Sequence, residues 1–185
     1  VFSYSYGSAT YNQTDVSSSS GLFTNDQVSG SSSAGSITFN GPVTLTGSST
    51  MTGNTQFAST LAGESNALTV TGNLDLDGAA TGLTSTSVSG TSNLGASVTT
   101  TSSQTYTGAV TLSANNIITT TNSNVSFGST IDSDSTTRNL TFNTGSGTVS
   151  ITGNVGADAD LGVVTLTQTG GTTFNGTLNA ATLNL

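Results

Sequence analysis

The sequence predicts an all-β fold, a parallel β-solenoid of roughly 18–24-residue coils, on two recurring patterns and one compositional bias. Short strands alternate with a period of two and end at Gly, Asn or Ser. Apolar pairs four residues apart recur at nearly constant steps. Thr, Ser, Gly and Asn make up roughly three fifths of the chain, whereas good helix formers are sparse.

The strands come first. Val43-Thr-Leu45, Leu68-Thr-Val70, Val110-Thr-Leu112, Leu140-Thr-Phe142, Val149-Ser-Ile151 and Val164-Thr-Leu166 share one form. Each puts two apolar side chains on one face and a hydroxyl on the other. The longer pattern is an apolar residue, a small turn and a second apolar residue four positions on. It occurs at Phe39–Val43, Phe57–Leu61, Leu94–Val98, Tyr106–Val110, Phe127–Ile131, Ile151–Val155 and Phe174–Leu178. The last four start at 106, 127, 151 and 174, with steps of 21, 24 and 23 residues. In the N-terminal half, Phe39, Phe57, Leu76 and Leu94 step by about 18.

A period of this size, holding two or three short strands, describes a stack of coils in which each strand pairs with its equivalent above and below. Inward positions form ladders of Val, Leu, Ile and Phe; outward positions form ladders of Thr, Ser and Asn. The competing arrangement is an antiparallel β-sandwich of the immunoglobulin kind, which usually carries a core Trp and does not repeat internally. Residues 36–185 are thus read as the repeat domain. Residues 1–35 lack the repeat and hold three of the four Tyr, so they read as an N-terminal cap or assembly segment.

Composition excludes much chemistry. There is no His, Cys, Trp or Lys, and Arg138 is the only basic residue. The chain therefore lacks an imidazole base, a thiolate nucleophile, a Schiff-base lysine and soft metal ligands. At a formal charge of −8 with a single cation, there is no electrostatic footprint for nucleic acid or an anionic membrane. No apolar run approaches the ~20 residues of a spanning helix. A start at Val1 fits a mature exported product, and the absence of Cys does not conflict with that, because repeat stacks need no disulfide staples.

The repeats QTYTGAVTLSANNIITTTNSNVSFGSTIDS and NLTFNTGSGTVSITGNVGA resemble those of bacterial surface proteins of the filamentous-haemagglutinin-like and autotransporter-passenger type. The likeness spans roughly residues 36–185. It implies a right-handed parallel β-helix, export to the bacterial cell surface or beyond, and a role in adhesion, biofilm or surface structure. Neither a haemagglutinin-type secretion domain nor a C-terminal membrane barrel accompanies the repeats.

Candidate sites are few. Asp132 and Asp134 follow one repeat strand, and Asp158 and Asp160 follow the equivalent strand one coil on. Four carboxylates at one corner are a candidate Ca²⁺ site through hard oxygen ligands, the alternative being solvated turn aspartates. Asp75 and Asp77 are expected to point outward, with Leu74 and Leu76 inward. Glu64 has no evident catalytic partner, and the chain is read as non-enzymatic, with no cofactor beyond that calcium. Two segments are candidates for assembly: the aromatic strand Phe2-Ser-Tyr4-Ser-Tyr6, suited to strand addition, and the terminal strand holding Leu183 and Leu185. Free ends of a solenoid expose core side chains, so that terminal strand is expected to be covered by more of the array or by the next subunit.

The function expected from all this is a secreted structural subunit forming a homopolymer, head-to-tail or by strand addition, into a surface fibre. The alternatives are a segment of a large adhesin, or a carbohydrate- or ice-binding module. Flat Thr arrays on β-solenoids order water, and Val43-Thr-Leu-Thr46 and Val164-Thr-Leu-Thr167 fit locally. A coil length drifting from about 18 to 24 is expected to spoil a regular lattice.

Overall fold

The computed structural model describes residues 15–18, 21–23 and 36–185. Every regular element among them is a β-strand, every pairing is parallel, and the strands stack into a β-solenoid of about eight turns. Among the described residues no helix is long and apolar enough to cross a membrane.

Each coil visits three faces. Face 1 is a seven-stranded sheet whose strands include Ser36–Phe39, Asn54–Phe57, Leu74–Leu76, Ser92–Leu94, Val110–Leu112 and Ile131–Ser133. Bridges at Val155 and Leu178 carry it through two further coils. Faces 2 and 3 form one 14-stranded sheet, because the strands Leu61–Val70 and Ala80–Val88 run continuously across the edge between them. Face 2 includes Val43–Leu45, Val98–Thr100, Asn116–Thr119 and Leu140–Asn143. Face 3 includes Ser49–Met51, Gln104–Tyr106, Val125–Phe127, Thr148–Ile151 and Gly171–Phe174.

The continuous strands turn their corner with a bulge: the register between them shifts after Ala62 and again after Asn66. Glu64 and Ser65 take φ of 48° and 64° there, and Gly82 takes 65°. Gly63 lies so close to the coil above that a Cβ would sit 2.6 Å from the Leu83 Cα. Only glycine fits that approach.

Coil length rises along the stack. Face 1 partners lie 18 residues apart at Ser36↔Asn54 and Ser92↔Val110, 21 apart at Val110↔Ile131, and 24 apart at Ile131↔Val155. Added residues go into the corners. Between faces 1 and 2 the chain needs only residues 95–97 in one coil but residues 134–139 two coils later. Each face still contributes one strand or bridge per coil, so strand pairing continues through the change.

The register also separates two sets of residues that look alike in sequence. Phe39, Phe57, Leu76 and Leu94 are direct partners on face 1, each ending a strand before the turn to face 2. Tyr106, Phe127, Ile151 and Phe174 are direct partners on face 3, before the turn to face 1. The steps expected within each set hold, but the sets occupy different corners. An aromatic–turn–aliphatic pattern reads the same at either corner, so sequence joins what the fold keeps apart.

Inside, the apolar columns form one continuous core from Ile37 to Val164. Phe39 and Phe57 stack with ring centroids 4.9 Å apart, as do Tyr106 and Phe127 at 5.1 Å, while Phe142 meets Phe127 edge-on at 5.9 Å. Burying each such ring contributes about 1.5–3 kcal/mol. Some polar side chains enter this core already bonded, whereas the hydroxyls of Thr86 and Ser92 are buried without a partner among the described residues. Gln104 donates to the carbonyls of Thr119 and Val98 and accepts from the Tyr106 hydroxyl at 2.9 Å. Burial pushes the Tyr106 phenol far above its ordinary range. The hydroxyls of Thr120 and Thr144 close their own turns onto the carbonyls of Ser123 and Gly147.

Along the corners, side-chain oxygens of one coil accept from backbone N–H groups of the next. Asn54, Asn73, Asn115, Asn139, Asn122, Asn124 and Asn154 accept from Asn73, Thr91, Asn139, Val163, Ser146, Thr148 and Thr177 respectively. Ser97 does the same for Ile117. Corner Asn is therefore an inter-coil fastener as well as a turn former.

The backbone ladder also reaches into the N-terminal region set apart by sequence. Asp15–Ser18 pairs with Ser36–Phe39, and Gly21–Phe23 pairs with Val43–Leu45. Strand pairing is a backbone property, and a stretch without the side-chain repeat can still supply it.

Candidate functional site

The acidic corner lies where face 1 turns to face 2 in the long coils. Asp132 occupies the buried middle of Ile131–Ser133, and its Oδ1 accepts from the Asp158 N–H at 2.9 Å. Asp134 is gripped by Arg138, whose Nε and Nη2 donate to its two oxygens at 2.9 and 2.7 Å. The Thr136 N–H adds a third bond at 2.8 Å. The Arg138 hydrogen bonds, then the Thr136 N–H, hold the Asp134 carboxyl below the usual carboxylate range. Ser133 ties the corner together: its Oγ donates to the Asp160 carbonyl and accepts from the Arg138 N–H.

Both aspartate pairs thus sit at one corner of adjacent coils, but they do not converge as a calcium cage. Among the described residues, no group of three or more acidic side chains lies close enough to hold a metal ion. The reason is register. Ile131 bridges Val155, which sets Asp132 beside Gly156, and the loop then displaces Asp158 and Asp160. Oδ1 of Asp132 and both oxygens of Asp134 are committed to fastening the corner.

Face 1 carries a second polar feature. Thr38, Gln56, Asp75, Asn93, Thr111 and Asp132 are successive partners in one outward column. Asn93 Nδ2 donates to Asp75 at 2.8 Å, and Gln56 Nε2 donates to Asp77 at 3.1 Å. Asp75 and Asp77 face outward as their alternation predicts, with Leu74 and Leu76 in the core. The column floors a shallow groove of about 400 Å³. Sequence reading missed Gln56 and Asn93, although stepping from Asp75 by one coil length in each direction would have found them.

At the C-terminal coil, Phe174, Leu178 and Ala180 are partly buried against the core. Leu183 is 43% exposed and Leu185 91%. Leu183 is the direct partner of Val164, which is buried, and Phe174 of Ile151, also buried. The last coil thus repeats the apolar columns of the interior on a less covered surface. Phe2, Tyr4 and Tyr6 lie outside the described residues.

Comparison of the chain with family models, curated proteins and solved structures finds no match to any of them.

Proposed function

We propose that the chain is a non-enzymatic structural element of a bacterial surface fibre, lengthened by continuing its own ladder across copies, head to tail. One observation carries this reading: Phe174, Leu178 and Leu183 continue the columns of Ile151, Val155 and Val164 in register. A further coil of the same build placed over them, whether from the chain's own continuation or from a second copy, buries apolar side chains and pairs a strand edge, as every internal interface does. Such a contact does not close on itself and grows a filament. The eight carboxylate-borne charges in excess leave outward ladders largely neutral, since the described acids lie on face 1, at its corner with face 2 and at Glu64. Export is supported by the resemblance to bacterial surface repeats and by an exterior dominated by neutral polar residues.

Negative-stain electron microscopy over a concentration series tests this. The expected result is uniform fibres for the parent chain and short rods for Leu183→Asp, whose half-exposed side chain leaves the core intact. Monodisperse rods from the parent chain at every concentration refute self-assembly and favour a rigid segment of a larger adhesin.

A further inference from the structure

We propose that face 3 is an ice-binding surface. Its central outward column is Thr50, Thr69, Ser87, Thr105, Ser126, Ser150 and Thr173, each the direct partner of the next. Seven consecutive coils place a hydroxyl at this position, through the whole change in coil length. Two residues along, Thr52, Thr71, Ser89, Thr107 and Thr152 form a second hydroxyl column, with Gly128 in one coil and Asn175 in the last. The backbone bonds from Thr71, Ser89, Thr107, Gly128 and Thr152 to the coil below hold this column in step.

Three facts set this face apart from a default row of exposed strand residues. First, the seven central hydroxyls make no side-chain hydrogen bond within the protein, whereas on face 1 Asn93 of the matching column donates to Asp75 and Gln56 to the neighbouring Asp77. Second, neither column holds a charge, although the chain carries −8; Asp75, Asp77, Asp132, Asp134, Asp158 and Asp160 lie on or beside face 1. Third, the drift that threatens a lattice is absorbed in the corners, so the strands of face 3 stay one coil apart.

The occupant follows from this chemistry. The columns hold Thr, Ser, one Gly and one Asn and no aromatic, so they lack the ring platforms on which sugars stack. A dry contact with a second copy needs each buried hydroxyl paired. An ordered water lattice needs only neutral hydroxyls on a rigid repeat. Water oxygens bonded at ~2.7–2.8 Å in tetrahedral geometry put second neighbours ~4.5 Å apart, close to the ~4.8 Å coil spacing. Along the strand, alternate residues lie ~6.6 Å apart, giving a two-dimensional grid about 29 Å long across the coils.

The test is ice-recrystallisation inhibition and ice shaping by the purified chain, compared with the double variant T69Y/T105Y and the face 2 control Thr141→Tyr. Circular dichroism and melting confirm that each remains folded. Inhibition by the parent chain and Thr141→Tyr, lost in T69Y/T105Y, is the expected result. The proposal falls if the parent chain is no better than serum albumin, or if both variants lose activity alike. It falls equally if the parent chain instead sediments with crystalline cellulose or chitin in a T69Y/T105Y-sensitive way.

Discussion

The short-coil half of the stack, from Ser36 to about Val98, and the long-coil half beyond Val110 solve the same problem with different corners. In two coils of the short half, faces 2 and 3 are joined by the continuous strands Leu61–Val70 and Ala80–Val88, which bend at a bulge with Glu64, Ser65 and Gly82 at positive φ. In the long half, strands stop and separate loops take the corner: residues 120–124 and 144–147, closed by Thr120 and Thr144. Both corners use left-handed backbone, at Glu64, Ser65 and Gly82 in the first and at Asn122 and Gly145 in the second, and the second adds Thr hydroxyls that close each turn on itself. Faces remain in register across both, so coil length is a property of corners and strand pairing a property of faces.

That comparison is most sharply broken in the core. Phe127 touches Tyr106 on one side and Phe142 on the other, whereas among the described residues Phe57 has one aromatic partner, Phe39. Phe127→Ala is expected to cost about 3–5 kcal/mol and Phe57→Ala to lie at the lower end of that range. Urea unfolding followed by circular dichroism measures both. In a stack whose coils touch only neighbours, Phe127→Ala is also expected to split the transition, with the long-coil half melting first. Equal costs and a single transition in both variants would mean that the halves share one cooperative core.

Corners come next. Gly63→Ala pushes a Cβ onto the Leu83 backbone, and a small-to-large change at such a contact costs about 1–3 kcal/mol. The long coils offer a different weakness. Asn139→Ala leaves the Val163 N–H without its side-chain acceptor, at about 1 kcal/mol. Melting temperatures of the two variants rank the devices. A larger loss from Asn139→Ala would make the asparagine fasteners the stronger of the two.

Much of this was legible in the sequence. The steps through Phe39, Phe57, Leu76 and Leu94, and through Tyr106, Phe127, Ile151 and Phe174, are true inter-coil registers. The alternation of Leu74-Asp75-Leu76-Asp77 gives the correct faces. What stayed hidden depends on contacts between coils. Gln104, Thr86 and Ser92 point into the core, where alternation read by hydropathy expects an apolar residue. Asp132 looks like a ligand until the next coil supplies the Asp158 N–H that claims it. The hydroxyl face escaped because the drift in spacing was read as a disturbance of every face, when it belongs to the corners alone.

The smallest expected effect concerns the loop that makes the long coils long. Asp134 joins Arg138 across residues 134–139, and its folded-state affinity for protons is depressed. A carboxyl depressed in the folded state adds stability above its unfolded value, near ~3.9, and loses that contribution as pH falls through the folded value. Asp134→Asn should therefore lower the melting temperature slightly at neutral pH, and the gap to the parent chain should close in acid. Added salt should narrow it too, because both partners lie near the surface. No comparable ion pair spans a described corner of the short half, so acid is expected to loosen the long coils first, and hydrogen exchange at Thr136 and Gly162 would register it. Uniform loosening of Gly63 and Gly162 together would show instead that this corner is held by Ser133 and the backbone, with the ion pair incidental.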